Sequence, residues 1–443
     1  MRRAELGLGE LVKPATRVAG ELRVPGDKSI AHRALILGAL ADGESVITDL
    51  PSGEDVRATV ACLRSLGVRI DRDATEVRIR GAIPSPAGGG GPGWGLSNPH
   101  GPLDCANSGT TMRLLLGLLA GSSVSAVLDG DGSLRRRPMA RLVEPLRRMG
   151  ARIESRDGHS PLVVTGVPLQ GRRHVMSVPS AQVKSALLLA GLAARGPTTV
   201  MEPVPTRDHT ERLLTAMGAD LRVTAGTIEL RPSHRPLRAI RLAVPGDFSS
   251  ASFWMAAAAL RPGWSITIDA VGLNPTRTAF LRILEAMGAA VDVELTRTDL
   301  EPRGTVRVTG RPLRAVALAA EDVAGAIDEI PALLAVATQA EGRTSIVGAA
   351  ELRVKESDRI AGMAEGLRRM GALIDERPDA ISVEGPAALR GATVASNGDH
   401  RIAMALAIAG LAATGSSTIE DADCVAVSYP EFFATLRQVT HES

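Results

Sequence analysis

Eight cations stand at, or just beyond, the polar openings of Ala/Leu-rich stretches: Lys28, Arg33, Arg113, Arg137, Arg207, Lys355, Arg359 and Arg401. The openings read Lys-Ser, Asn-Ser-Gly-Thr, Ser-Ala-Gln and Asn-Gly-Asp-His-Arg. Such residues begin helices, whose first N–H groups and positive dipole end attract anions. A charge among apolar neighbours is costly unless it is paired, so ligand anions are the expected partners of these side chains. Phosphates and carboxylates on small molecules suit them best. Two acids lie among the cations, Asp328 in IDEIP and Glu356 in RVKESDR. Carboxylates in unlike surroundings can divide acid and base duties. Glu329 competes with Asp328 for its role. Plainer readings stand beside these: a Ser or Asn as an ordinary N-cap, Asp328 as a complement to a helix dipole, Glu356 as a salt-bridge partner of Lys355 or Arg359. Arg147, Arg148, Arg368 and Arg369 fall on amphipathic faces and read as solvated surface.

The elements that must position these groups repeat along the chain. One is an amphipathic helix ending in a hydrophobe plus Gly before a strand: ACLRSLG, EPLRRMG, RLLTAMG, RILEAMG and GLRRMG, with SYPEFFATLRQV as the last copy. The other is an apolar helix that opens with small polar residues, found at KSIAHRALILG, NSGTTMRLLLG, SAQVKSALLLAG, DFSSASFWMAAAA, from Asp328 to Gly342, and at NGDHRIAMALAIAG. Gly67 and Gly288 are 221 positions apart, as are Gly150 and Gly371, and Val24-Pro25-Gly26-Asp27 recurs 220 positions later as Val244-Pro245-Gly246-Asp247. That interval is half the chain, so the sequence reads as a duplication. Apolar all round, the second helix type belongs at the centre of each half, enclosed by sheets and amphipathic helices.

This pattern predicts two domains, residues 23–246 and residues 247–443 joined by 1–22, with hinge strands near 22–26 and 243–247. The Gly/Pro-rich stretch 84–102 reads as a flexible surface excursion. With 51 Lys+Arg against 49 Asp+Glu and only 2% aromatic residues, neither a nucleic-acid coat nor a base-stacking platform is expected. Cys62, Cys105 and Cys424 lie far apart without a Cys/His cluster, which predicts small buried hydrophobes, no metal site and a reducing cytoplasm. No apolar leader and no run of roughly 18–20 apolar residues is present, so no membrane partner is expected.

Taken in order, Gly26-Asp27-Lys28-Ser29 with Arg33, NSGTTMR (107–113), Arg137-Pro138-Met139, SAQVK (180–184), Arg207-Asp208-His209, RVKESDR (353–359) and Asp399-His400-Arg401 resemble the 5-enolpyruvylshikimate-3-phosphate synthase family. The resemblance implies an α/β fold of two similar domains, each of three βαβαββ units around buried helices, an inside-out α/β barrel hinged to close on substrate. It implies transfer of the enolpyruvyl group of phosphoenolpyruvate to the 5-hydroxyl of shikimate 3-phosphate by addition and elimination. No cofactor takes part, and the expected partners are the two substrates alone, with a monomeric chain. SAQVK, RPMAR, RDHT and NPTR (274–277) look more like the glyphosate-tolerant subclass, although Gly109 offers no bulk against an inhibitor.

By carry-over, Asp328, Glu356 and Lys28 are the catalytic residues, their division of acid and base work left open. Lys28, Asn107, Gly109, Arg137, Gln182, Arg359 and Arg401 would bind phosphoenolpyruvate. Shikimate 3-phosphate would be held by Lys28, Ser29, Arg33, Ser180, Gln182, Arg207, Asp328 and Lys355. His400 would orient the carboxylates or cap its helix. One departure is Val427, where some family members carry a Lys before the final Ser/Thr-Phe/Tyr-Pro motif. Two rivals are weighed. UDP-N-acetylglucosamine enolpyruvyl transferase typically carries a reactive loop Cys and a Lys-Asn pair where this chain has Lys28-Ser29. A non-catalytic anion binder would have no need of two carboxylates in an anionic site.

Overall fold

The computed structural model describes residues 9–73, 75–81, 94–232, 235–298 and 300–442, so positions 84–93 of the expected surface excursion lie outside the described residues. Residues 26–244 form one compact unit, and the described residues before 26 and after 244 form another.

In the 26–244 unit each four-stranded sheet pairs one parallel couple with two antiparallel neighbours. Leu103–Asp104 runs parallel to Ser125–Asp129, which pairs antiparallel with His159–Thr165 and, through it, with Arg152–Arg156. Parallel strands need a crossover, and the helix Gly109–Ala120 supplies it; Ala140–Arg148 then leads into the antiparallel pair. This is a βαβαββ unit. It recurs with Arg173–Val175, Thr198–Met201, Thr227–Arg231 and Asp220–Thr224 around Ala181–Gly191 and His209–Ala216. A third sheet orders Arg241–Ala243, Glu44–Thr48, Glu76–Arg80 and Arg69–Arg72.

The other unit repeats the plan, with parallel couples Ala15–Arg23 and Ser265–Gly272, Ala317–Leu318 and Gly342–Val347, and Thr393–Ala395 and Ser417–Glu420. The strand that precedes each unit's first buried helix is exchanged. Ala15–Arg23, just before the helix Lys28–Gly38, belongs to the sheets of the C-terminal unit, whereas Arg241–Ala243, just before Phe248–Ala259, pairs with Glu44–Thr48 in the 26–244 unit.

All six apolar stretches form buried helices: Lys28–Gly38, Gly109–Ala120, Ala181–Gly191, Phe248–Ala259, Ile330–Ala337 and His400–Gly410. Every residue of Gly109–Ala120 and of Phe248–Ala259 is buried. Small residues permit this: a Cβ on Gly117 would sit 2.3 Å from the Ala186 carbonyl oxygen of the neighbouring helix. Duplication is also visible in the backbone. Gly67 and Gly288 end their helices at φ +87° and +107°, and Asp49 and Ala270, 221 positions apart, both take left-handed φ values of 57° and 56°.

Arg147, Arg148, Arg368 and Arg369 are exposed, as expected of solvated surface. Arg147 and Arg368 also donate to the carbonyl oxygen of the residue six positions on, Ile153 at 2.7 Å and Ile374 at 3.1 Å, as Arg64 does to Ile70 at 2.8 Å. These contacts tie each helix to its following strand across the Gly turn. Cys62 and Cys105 are buried, but Cys424 is only partly so, and burial pushes its thiol up to about 12. No helix among the described residues is long and apolar enough to cross a membrane.

Candidate functional site

Each unit gathers its sequence-marked residues at the amino ends of its buried helices. In the 26–244 unit, Asp27, Ser108 and Ser180 cap the three helices by accepting from Ile30, Thr111 and Val183 N–H groups. Side chains of the first turns then bond one another. Arg33 donates to Thr210 Oγ1 at 2.7 Å, to Ser185 Oγ at 2.8 Å and to the Ser29 carbonyl oxygen at 2.8 Å. Arg207 reaches Ser29 Oγ at 3.3 Å. Gln182 accepts from Arg113 and donates to Thr110 Oγ1 at 2.8 Å. Arg137 donates to Asn107 Oδ1, and Asn107 donates to Asp131 Oδ2 at 2.6 Å. A Cβ on Gly109 would lie 2.7 Å from Arg113 Nη1 and 3.2 Å from Arg137 Nη1, so the bare backbone leaves room for two guanidinium groups.

Protein groups satisfy part of what ligand anions were expected to satisfy. Lys28 Nζ lies 2.8 Å from Asp55 Oδ2, an acid in the first turn of the helix Glu54–Ser65 that no motif singled out. Lys184, quoted in SAQVK without a role, is 1% exposed and sits 2.8 Å from Glu202 and 2.6 Å from Glu211. Burial raises the Glu211 carboxyl above its usual range, with Lys184 opposing. Both acids lie on the segment that carries Arg207. His32, buried, shares a hydrogen bond with Thr59, which bonds Thr111 next to the Ser108 cap. Burial, then Lys28 and Arg33, holds this imidazole well below its ordinary value, hence neutral.

In the other unit Arg359 is the centre of a carboxylate cluster. Its Nε donates to Asp399 Oδ2 at 2.8 Å, Nη1 to Asp328 Oδ1 at 3.3 Å, and Nη2 to Glu356 Oε2. Burial alone would lower its proton affinity, but Asp399, Glu356 and Asp328 outweigh that and raise it, so its charge is secure. Lys355 Nζ stands 4.0 Å from Asp328 Oδ1, and Arg401 Nη1 donates to the Asp328 carbonyl oxygen at 3.0 Å. Asp399 also caps the helix His400–Gly410 by accepting from Arg401 N–H, a capping role considered for His400.

Asp328 and its neighbour differ in burial and in partners. The Glu329 side chain is 0% exposed and bound by Ser249 and Arg277, whereas Asp328 keeps 12% exposure and faces Lys355 and Arg359. Chemically the cluster offers three carboxylates on one guanidinium, of which Asp328 and Glu356 form the pair marked by the sequence, with an ammonium alongside. Anions arriving there compete for the cations and favour a proton on one carboxylate of the pair.

A family model described as EPSP synthase (3-phosphoshikimate 1-carboxyvinyltransferase) matches residues 12–436. The chain is 50% identical, over 99% of its length and 100% of the relative's, to a 3-phosphoshikimate 1-carboxyvinyltransferase of Gloeobacter violaceus. A protein of the same name from Acidithiobacillus ferrooxidans is 49% identical over 97% of each chain. Among solved structures, an EPSP synthase from Acinetobacter baumannii superposes with a TM-score of 0.84 at 41% identity, covering 98% of both chains. The enolpyruvyl transferase NikO from Streptomyces tendae, 20% identical with a TM-score of 0.77, covers 97% of this chain and 98% of its own and shares the fold.

Proposed function

The chain belongs to the EPSP synthase family, and from that premise we propose that it transfers the enolpyruvyl group of phosphoenolpyruvate to the 5-hydroxyl of shikimate 3-phosphate, releasing phosphate, in aromatic amino-acid biosynthesis. The observation that carries the residue-level reading is the pair Asp328 and Glu356 on the one guanidinium of Arg359, beside Lys355. Substrates bearing about five to six negative charges between them need the eight cations that the sequence marks, and the reaction needs two carboxylates of opposite duty.

On this reading Glu356 delivers a proton to the vinyl CH2, C2 gains cationic character, and the hydroxyl attacks as Asp328 takes its proton. In the elimination a methyl proton of the tetrahedral ketal phosphate returns to the Glu356 carboxylate as the C–O bond to phosphate breaks, which restores the vinyl group and releases phosphate, and Lys28 shares in the proton traffic. Lys28, Asn107, Gly109, Arg137, Gln182, Arg359 and Arg401 hold phosphoenolpyruvate. Lys28, Ser29, Arg33, Ser180, Gln182, Arg207, Asp328 and Lys355 hold shikimate 3-phosphate. Arg113 serves through Gln182, whose amide it fixes.

Phosphate release from phosphoenolpyruvate that requires shikimate 3-phosphate is the expected assay result; release without the acceptor, or none at all, defeats the reading. Glyphosate tolerance, suggested by the motif set, is read in the same assay as turnover that persists at inhibitor levels that stop a sensitive enzyme. We further propose a cytoplasmic monomer, for which sedimentation at working concentration is the check of subunit number.

A further inference from the structure

We propose that Glu329, with Arg277 and Ser249, is a positioning group that sets Asp328 for the reaction; the inference rests on the reading of Asp328 as the base. Glu329 is a carboxylate with no exposure at all, placed at the start of the apolar helix Ile330–Ala337. Its Oε1 accepts from Ser249 Oγ, and Arg277 Nη2 lies 3.2 Å from the same oxygen and 2.6 Å from Ser249 Oγ. Oε2 has no hydrogen-bond partner among the described residues. An ion pair in such a place is a poor device for stability, because desolvating both charges offsets most of their attraction and a packed apolar pair does as well. What it does supply is direction.

Three segments meet on Glu329: its own helix start, the first turn of Phe248–Ala259 through Ser249, and the loop carrying Arg277. The peptide between Asp328 and Glu329 is thereby held from two sides. Arg401 grips the Asp328 carbonyl oxygen at 3.0 Å, and the Glu329 side chain is clamped by Ser249 and Arg277. With the main chain fixed at both points, the Asp328 carboxylate keeps its place between Lys355 at 4.0 Å and Arg359 at 3.3 Å. A base displaced by about 1 Å loses on the order of 10²-fold in rate. The Glu329–Arg277 clamp therefore acts on turnover, through Asp328, and touches no substrate.

The test is a double-mutant cycle. Removing one partner alone strands a buried charge, so the pair is neutralised together as Arg277→Met/Glu329→Gln, which keeps an acceptor for Ser249. Ser249→Ala, which loosens the clamp with the ion pair intact, is the second perturbation should the first fail to fold. Single-turnover rates and KM for shikimate 3-phosphate are measured in the wild-type and Asp328→Asn backgrounds, with thermal melting to verify folding. The expected result is a fall in rate of about 20-fold or more for the neutral pair, and several-fold for Ser249→Ala, with KM within about threefold. In the Asp328→Asn background either change should cost less than about twofold. Equal fold-losses in both backgrounds, or a wild-type rate in the folded variants, overturn the proposal. A wild-type rate for Asp328→Asn itself overturns the reading of Asp328 and the clamp with it, so the two failures are told apart.

Discussion

Asp328 and Glu356 owe their nearness to one guanidinium, and each single-residue prediction follows from what that arrangement leaves them to do. Glu356→Gln keeps size and hydrogen bonding but carries no transferable proton. Turnover should fall by about 10²-fold or more while shikimate 3-phosphate affinity is largely unchanged. Wild-type turnover in that variant removes Glu356 from the chemistry. Lys355 gives a pH signature. Burial lowers the proton affinity of its ammonium, Asp328 opposes the shift, and Arg359 adds to it. The side chain therefore discharges at a lower pH than an exposed lysine, and if it holds shikimate 3-phosphate as proposed, that hold is lost as pH rises through that point. Measured from about pH 7 to about pH 10, KM for shikimate 3-phosphate should climb in the wild type and climb less in Lys355→Arg, whose guanidinium stays charged. Identical profiles would separate Lys355 from phosphate binding.

At the scale of elements, the buried helices hold the site by crossing closely, which Gly117 makes testable. Gly117→Ala puts a methyl 2.3 Å from a backbone oxygen of Ala186, so the helices Gly109–Ala120 and Ala181–Gly191 must part. The cost is about 1–3 kcal/mol, seen as a melting temperature lower by several degrees, at about 2–4 °C per kcal/mol for a unit of this size. Gly101→Ala, with no atom within 4 Å of its Cβ, should melt like the wild type and is the control. Equal melting of the two variants contradicts close crossing. These same helices were the most legible part of the chain, because their apolar run and polar opening are local signals, as is the Gly that ends each amphipathic helix. Long-range partners were not legible. Nothing near Lys28 announces Asp55, nothing near Glu329 announces Arg277, and Arg147 looks like any surface arginine until its strand is seen to turn back beneath it. Motif resemblance marked the cations and both carboxylates, yet it could not say that Arg359 is already matched by three acids of its own unit.

For the molecule as a whole, the proposed assignment of residues to shikimate 3-phosphate is tested in each unit separately. The residues assigned to shikimate 3-phosphate include Ser29, Arg33, Ser180 and Arg207 from residues 26–244, and Asp328 and Lys355 from the other unit. A ligand held by one unit alone stabilises that unit and leaves the other's local openings unchanged; a ligand held by both slows opening in both. At about 100 times its dissociation constant, a bound ligand contributes about 2.7 kcal/mol, or roughly 100-fold slower exchange for amides exposed only when the site opens. Hydrogen exchange with and without shikimate 3-phosphate should therefore slow at the amino ends of Lys28–Gly38 and Ala181–Gly191 and also around Lys355 and Arg359–Arg369. Arg207→Met and Lys355→Met should each weaken the effect of the ligand, because each removes an assigned anchor. Slowing confined to the unit that carries the unaltered cation, or to residues 26–244 in the wild type, means the halves bind independently, and the assignment of Asp328 and Lys355 to this ligand then fails.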